Sequence, residues 1–112
     1  TRYMQSYNVM GVAKAALETS IRYLSVDMGD RGIRVNAISA GPMRTLAGAV
    51  INKSRKIYNY TIENSPIKKP LSLEDIGKSS VYLMSDLSKG VTGEILYVDN
   101  GSNNVGMSIQ DL

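Results

Sequence analysis

The first thirty residues carry the most regular hydrophobic pattern of the chain. Apolar side chains recur every three or four positions, at Met10, Ala13, Leu17, Ile21, Leu24 and Met28. This spacing is typical of one face of an α-helix. Gly29 and Gly32 then supply residues at which helices commonly end. The pattern therefore predicts a long helix from Ser6 to Asp30.

Two short apolar runs are rich in β-branched residues and are bounded by turn residues. The first, Ile33 to Ile38, lies between Gly32 and the pair Gly41-Pro42, and the second, Glu94 to Val98, ends at Asp99-Asn100-Gly101. Both patterns predict strands. A helix, a tight turn and a strand in this order are typical of an α/β protein.

Two more helices are predicted between these strands. Thr45 to about Tyr60 has helical spacing, but its middle is polar and contains Gly48, so we expect this segment to be mobile. Ser72 followed by Asp75 resembles a capping box, with Asp in place of Glu, at the start of a helix that runs to about Asp86.

The chain thus has three predicted helices and two predicted strands. Because two strands do not form an independently stable sheet, we expect them to complete a larger parallel sheet.

Composition narrows the chemistry that the chain can perform. Its 112 residues include no Cys and no His, which disfavours disulfides and sites for zinc, iron–sulfur clusters or haem. Acid–base chemistry must then use Tyr, Lys, Asp or Glu. The net charge of +3 is spread along the chain, and Trp and Phe are absent, so a nucleic-acid partner is not expected. No apolar run approaches the roughly 20 residues of a membrane span, and the start has no signal-peptide pattern.

The first candidate for chemistry is the pair Tyr7 and Lys14. They are seven residues apart, nearly two helical turns, so their side chains share one face. A lysine beside a phenol lowers the pKa of the phenol from about 10, which suits it to proton transfer. The spacing alone is equally compatible with a surface Tyr and Lys on an amphipathic helix.

Two further motifs sit at strand ends. Ser39-Ala40-Gly41-Pro42 follows the first strand directly, and in open α/β sheets ligands bind beyond the carboxyl ends of strands. Thr92-Gly93 precedes the second strand and Val98-Asp99-Asn100-Gly101 ends it. Taken singly, each motif is also compatible with a plain connecting turn.

Together and in this order, the three motifs resemble the second half of the short-chain dehydrogenase/reductase superfamily. They are Tyr7-Asn8-Val9-Met10-Gly11-Val12-Ala13-Lys14, Arg34-Val35-Asn36-Ala37-Ile38-Ser39-Ala40-Gly41-Pro42, and Thr92-Gly93 with Val98-Asp99-x-Gly101. Most members place the lysine four residues after the tyrosine, where this chain has Gly11. The Tyr-x6-Lys spacing, Ser-Ala-Gly-Pro and Arg44-Thr45-Leu46-Ala47 resemble the bacterial-type enoyl-acyl-carrier-protein reductases.

This resemblance implies a fold and a reaction. The fold class is α/β, the C-terminal portion of a Rossmann-type doubly wound parallel sheet. Residues 1–112 would be part of a single Rossmann-like domain without its N-terminal cofactor-binding half, since no G-x-G-x-x-G loop is present. The complete enzyme would reduce the trans-2 double bond of enoyl-acyl-carrier-protein thioesters in type II fatty-acid synthesis. This chain alone is expected to be inactive.

The resemblance also assigns roles to individual residues. The catalytic pair would be Tyr7 and Lys14. NADH, with NADPH as the alternative, would be held by Lys14, Gly41, Pro42, Met43 and Thr45. The acyl substrate would contact Tyr7, Met10, Ala47 and Ile51, and residues 45–60 would form a mobile substrate-binding helix. Arg55 and Lys56 would dock the acidic acyl-carrier protein. A homotetramer in the cytoplasm is expected, with no metal, nucleic acid or membrane partner.

Two alternatives stay open at this stage. A 3-oxoacyl or other ketone reductase of the same superfamily would carry a lysine four residues after the tyrosine, and Gly11 argues against that. An inactive structural subunit would use the long first helix for packing, but the intact Tyr7 and Lys14 argue against a decayed site.

Overall fold

The structure is a computed structural model that describes residues 8–46 and 54–106. Within these ranges the helices are α1 (Asn8–Gly29), α2 (Ser54–Asn64) and α3 (Leu73–Met84), and the strands are β1 (Ala37–Ala40) and β2 (Ile95–Val98). Two short 3-10 turns cover Asp86–Ser88 and Ser102–Asn104. The predicted elements are all present, although residues 6, 7 and 47–53 of the predicted helices lie outside the described residues. Over the described part of the chain, no helix is long and apolar enough to cross a membrane.

The two strands pair in parallel. Ala37 lies opposite Ile95 at one end of the pairing, and Ala40 lies opposite Val98 at the other. Parallel neighbours need a crossover connection, and α2 and α3 lie within it. The structure therefore confirms an α/β fold with an open parallel sheet. We call the end of the sheet at Ala40 and Val98 the carboxyl edge.

The predicted start of the first strand was wrong by four residues, since β1 begins at Ala37 and not at Ile33. Before that point, one backbone hydrogen bond, from the Gly93 N–H to Val35 O (2.8 Å), lies among side-chain bridges. The Val35 N–H donates to Thr92 Oγ1 (3.1 Å), and the Asn36 amide joins Val91 O (2.9 Å) and the Glu94 N–H (3.0 Å). Regular backbone pairing can begin only after these side-chain bridges. Beside this bridge, β2 begins at Ile95, one residue later than predicted.

The guanidinium of Arg34 ties the region before β1 to the end of α3. It donates to Leu83 O (2.8 Å), Ser85 O (3.3 Å), Ser88 Oγ (3.1 Å) and Val91 O (3.1 Å). The last carbonyls of a helix have no partner within the helix, and a cation there also meets the negative end of the helix dipole. Arg34 therefore ends α3 at Met84, where the sequence had predicted about Asp86.

Apolar side chains in the described part of the chain remain substantially exposed, and none is fully buried. Val9 and Leu87 are each 82% exposed, and Val26 and Met84 are each 78% exposed. A folded domain normally covers surfaces of this kind with further chain or with another subunit. This agrees with the expectation that these elements complete a larger sheet.

The capping box predicted at the start of α3 is present. The Asp75 N–H donates to Ser72 Oγ (3.1 Å), and the Asp75 carboxylate accepts from the Ser72 N–H (3.0 Å) and the Ser72 hydroxyl (2.7 Å). The backbone hydrogen bond from Ser72, followed by the one from its side chain, holds the pKa of Asp75 below its ordinary value of 3.8.

This capping box predicts a pH-dependent difference in stability between wild type and Asp75→Asn. Because folding lowers the pKa of Asp75, its stabilisation is present above the unfolded pKa and is lost as pH falls through the folded pKa. The free energy of unfolding of the complete gene product should be higher for wild type near neutral pH, and the difference should shrink below about pH 4. Glu63→Gln, at an exposed carboxylate on α2, is the control. A difference that does not change with pH would contradict this role of Asp75.

Candidate active site

The turn after β1 is the centre of the site. The Gly41 N–H donates to Val98 O at 3.0 Å, so Gly41 sits beside the end of β2. A methyl group on Gly41 would lie 3.0 Å from both the Cα and the Cβ of Asp99. Glycine is thus required for the two strand ends to approach this closely. The turn also lies beyond the carboxyl edge of a parallel sheet, where α/β proteins bind ligands.

The residues after Gly41 are available to a ligand to different degrees. Pro42 and Thr45 are exposed, and Met43 is half-buried. The guanidinium carbon of Arg44 lies 5.3 Å from the centre of the Tyr58 ring, within the range of a cation–π contact. This contact links the segment after β1 to α2.

The carboxyl-terminal end of α2 meets the same turn. One small cavity is lined from the strand ends by Gly41, Pro42 and Asp99, and from α2 and its exit by Thr61, Ile62 and Ser65. The structure therefore brings the Gly41-Pro42 turn, the end of α2 and the residue after β2 to one place.

Lys14 lies in the second turn of α1, and its side chain is exposed. Further along α1, Ser25 approaches Gly93 closely enough that a methyl group on the glycine would lie 2.8 Å from Ser25 Oγ. Lys14 is three helical turns before Ser25, a distance of about 16 Å along the helix axis. A strand covers the same distance in about five residues, counted here from Gly93. For a helix that runs antiparallel to the strands, this distance predicts Lys14 near the carboxyl edge, and its role in the site stays a prediction.

The other predicted site residues divide into two groups. Met10 is 47% exposed on α1, and Arg55 and Lys56 are exposed in the first turn of α2. Tyr7, Ala47 and Ile51 lie outside the described residues, so their assigned roles stay predictions.

The sequence analysis placed Asp99 at the end of a strand and in the Val98-Asp99-x-Gly101 motif, without a role in the site, and the structure shows its contacts. Asp99 is 9% exposed, and its carboxylate accepts from the Gly101 N–H (3.0 Å), the Ser102 hydroxyl (3.1 Å), the Asn103 N–H (2.9 Å) and the Asn103 side-chain amide (3.3 Å). The signal in the sequence was an Asp before Asn-Gly, a combination that favours side-chain-stabilised turns. The sequence could not show which other segment packs on that turn.

The fold and the position of this turn define a class of protein. Parallel strands that alternate with helices and end in a ligand-facing turn are the architecture of Rossmann-type α/β proteins. A family model described as enoyl-(acyl carrier protein) reductase matches residues 1–103. The chain belongs to this family.

Curated relatives and solved structures agree with this assignment. The chain is 61% identical over 106 residues to enoyl-[acyl-carrier-protein] reductase [NADH] 2 of Rhizobium meliloti, covering 95% of this chain and 40% of that protein. It is 46% identical over 111 residues to enoyl-[acyl-carrier-protein] reductase [NADH] FabI of Escherichia coli, covering 99% of this chain and 42% of that protein.

Among solved structures, the Bacillus cereus enoyl-acyl carrier protein reductase, in complex with NADP+ and indole naphthyridinone, superposes with a TM-score of 0.91. The identity is 47%, over 95% of this chain and 41% of that one. FabI from Candidatus Liberibacter asiaticus gives a TM-score of 0.90 at 58% identity, over 96% and 42%. The chain thus spans about two-fifths of the length of the relatives that it matches.

Proposed function

We propose that the complete protein reduces the trans-2 double bond of enoyl-acyl-carrier-protein thioesters with NADH, as a step of type II fatty-acid synthesis. The observation that carries this proposal is the Gly41-Pro42-Met43 turn at the carboxyl edge of the sheet, and helix geometry predicts Lys14 near it on α1. Relatives that are 61% and 57% identical are named as NADH-dependent enoyl reductases, which supports both the reaction and the cofactor.

The described residues fit the nicotinamide end of such a cofactor. A bound cofactor would supply hydride to the β-carbon of the substrate. The exposed Lys14 ammonium has three donors for ribose hydroxyls, and the backbone at Met43 and the hydroxyl of Thr45 follow the Gly41 turn closely enough to bind the carboxamide side. We find no glycine-rich phosphate loop in the sequence, so we propose that residues outside this chain hold the pyrophosphate.

The chemistry at the substrate is proposed from the same residues. As hydride adds to the β-carbon, the electrons of the double bond shift and negative charge develops on the thioester oxygen. Protonation of the α-carbon then restores the thioester carbonyl and completes the reduction. Tyr7 would donate a hydrogen bond to that oxygen, and the charge of Lys14 would stabilise it. Met10, Ala47 and Ile51 would line the acyl pocket, with residues 45–60 as the substrate-binding helix. In this proposal the chain is the C-terminal part of one Rossmann-like domain.

Substrate choice tests the proposed reaction directly. NADH and NADPH oxidation by the complete gene product would be followed with a trans-2-enoyl thioester and, separately, with a 3-oxoacyl thioester. Turnover of the enoyl thioester alone is expected. Turnover of the ketone alone would show that the Tyr-x6-Lys spacing was misinterpreted. Cofactor binding without turnover of either substrate would favour the inactive structural subunit.

The exposed basic residues at the start of α2 are proposed to dock the acyl-carrier protein. Reversing both charges, Arg55→Glu with Lys56→Glu, is expected to raise KM for the carrier-protein thioester about tenfold, because two attractive contacts become repulsive. KM for a small enoyl thioester without the carrier protein should stay within about twofold. Lys89→Glu, at an exposed lysine beyond α3, is the matched control. An equal rise for both substrates would contradict docking at this site.

A homotetramer is proposed on the basis of the outer face of α1. Val9, Val12, Tyr23 and Val26 are between 71% and 82% exposed, and their spacing places them on one side of the helix. An apolar helix face of this kind favours burial against another copy of the protein. The cytoplasmic location stays a prediction.

A further inference from the structure

We propose that residues 99–103 (the 99–103 turn) hold α2 in position beside residues Gly41-Pro42-Met43 (the nicotinamide turn), and that Asn100 is a positioning residue for the acyl substrate. This inference rests on the proposed function, because it assigns α2 to the acyl site. It concerns residues that have no role in the chemistry proposed above.

Both ends of the chain segment that contains α2 are fixed to this one turn. At the start of the segment, Gly41 packs against Asp99 and donates to Val98 O at 3.0 Å. At its end, the Ile67 N–H donates to Asn100 O at 3.1 Å, and the Asn100 side-chain amide donates to Lys69 O at 2.7 Å. The segment from 41 to 69 is therefore anchored at both ends to the 99–103 turn.

The backbone of the 99–103 turn is conformationally constrained. Asn100 has a positive φ of 56°, and Gly101 has a φ of 81°, so the backbone follows a path that most residues avoid. The Asp99 carboxylate fixes this path through its four hydrogen bonds to residues 101–103. A methyl group on Gly101 would lie 2.9 Å from Pro66 Cγ, so the turn also packs directly on the exit from α2.

The connection from the turn to α2 is short. α2 ends at Asn64, and the Ser65 N–H and hydroxyl both donate to Thr61 O, at 2.8 Å and 2.5 Å. Ile67 is thus only three residues beyond the helix. The Arg44–Tyr58 contact is a second tether, in the middle of α2. Removing the Asn100 side-chain amide should loosen the carboxyl-terminal end of α2. The nicotinamide turn should stay in place, because its hydrogen bond to Val98 O is not affected.

The test replaces Asn100 in the complete gene product. Asn100→Gly keeps the positive φ accessible and removes the amide. Asn100→Asp keeps the size of the side chain but turns a donor into an acceptor that faces the Lys69 carbonyl. KM for the enoyl thioester is expected to rise about fivefold in the Gly variant, a change that corresponds to the loss of one hydrogen bond. The rise should be larger in the Asp variant. The kcat and the Kd for NADH should stay within about twofold.

Ser72→Ala is the control for stability, because it removes the cap of α3 without touching α2 or the 99–103 turn. An unchanged KM in Asn100→Gly would overturn the inference. A parallel fall of kcat, NADH affinity and stability would also overturn it, since that pattern indicates general loosening.

Hydrogen exchange separates this inference from the proposed reaction. Amides of Ser54–Asn64 should exchange about fivefold faster in Asn100→Gly than in wild type or Ser72→Ala, whether or not the protein turns over an enoyl thioester. An unchanged exchange rate would refute the positioning role. Wild-type protein that fails to reduce the enoyl thioester would instead refute the proposed function.

Discussion

Replacing Lys14 with alanine in the complete gene product is expected to lower kcat/KM for the enoyl thioester at least a hundredfold. In the proposed reaction Lys14, predicted near the carboxyl edge, would hold the ribose hydroxyls and keep positive charge near the developing oxyanion. Removing one preorganised group of this kind typically costs about 10²–10³ in rate. The Kd for NADH, measured by fluorescence titration, should rise in the same variant.

Two variants separate these contributions of Lys14. Lys14→Arg keeps the charge and should retain more NADH affinity than Lys14→Ala. Lys78→Ala removes a lysine whose exposed pair with Glu74 (2.9 Å) contributes little, so its kinetics should match wild type. Near-normal turnover by Lys14→Ala would exclude Lys14 from the reaction and would favour the surface interpretation of the Tyr7 and Lys14 spacing.

The second large effect is on stability, at Arg34. Arg34→Met is expected to lower the free energy of unfolding of the complete protein by about 3 kcal/mol, because charged hydrogen bonds are lost and part-buried carbonyls lose their donor. Chemical denaturation followed by circular dichroism measures this difference. The kcat per folded molecule should change little, since Arg34 lies before β1, at the opposite end of the strands from the carboxyl edge.

Arg34→Lys and Arg31→Ala are the informative comparisons. Lysine keeps the charge, but its single nitrogen cannot reach four acceptors, so Arg34→Lys should recover only part of the loss. Arg31 is exposed in the turn after α1, and its replacement should change the free energy of unfolding by less than about 0.5 kcal/mol. Equal losses in Arg34→Met and Arg31→Ala would show that the four contacts of Arg34 do not stabilise the fold.

Local patterns predicted the elements of this fold well. The capping box at Ser72 was visible because its two residues are three positions apart, and the helical period of α1 is likewise a short-range signal. The start of β1 was misplaced because the chain around Val35 and Asn36 has strand-like composition. Its hydrogen bonds are taken by Thr92, Val91 and Glu94, which lie 55 to 58 residues away.

The contrast between short-range patterns, which were predictable, and long-range contacts, which were not, also applies to the candidate site. The Gly41-Pro42 turn could be placed at a strand end from sequence, and the structure adds that Asp99 is what requires a glycine there. The links from Asn100 to Ile67 and Lys69 were not predictable, since each joins segments more than 30 residues apart through ordinary turn residues. The pairing of Tyr7 with Lys14 remains a prediction from helical spacing.

The parallel pairing of β1 with β2 has a consequence for the order of folding. Ala37 pairs with Ile95, so the first strand can pair only after a strand more than 50 residues later in the chain has been made. Non-local contacts of this kind form slowly, because the loss of chain entropy on loop closure precedes the gain from pairing. Until then, the edge of β1 and the apolar side chains around it are open to other chains. We therefore expect the yield of folded protein to depend on temperature and on chaperones during synthesis.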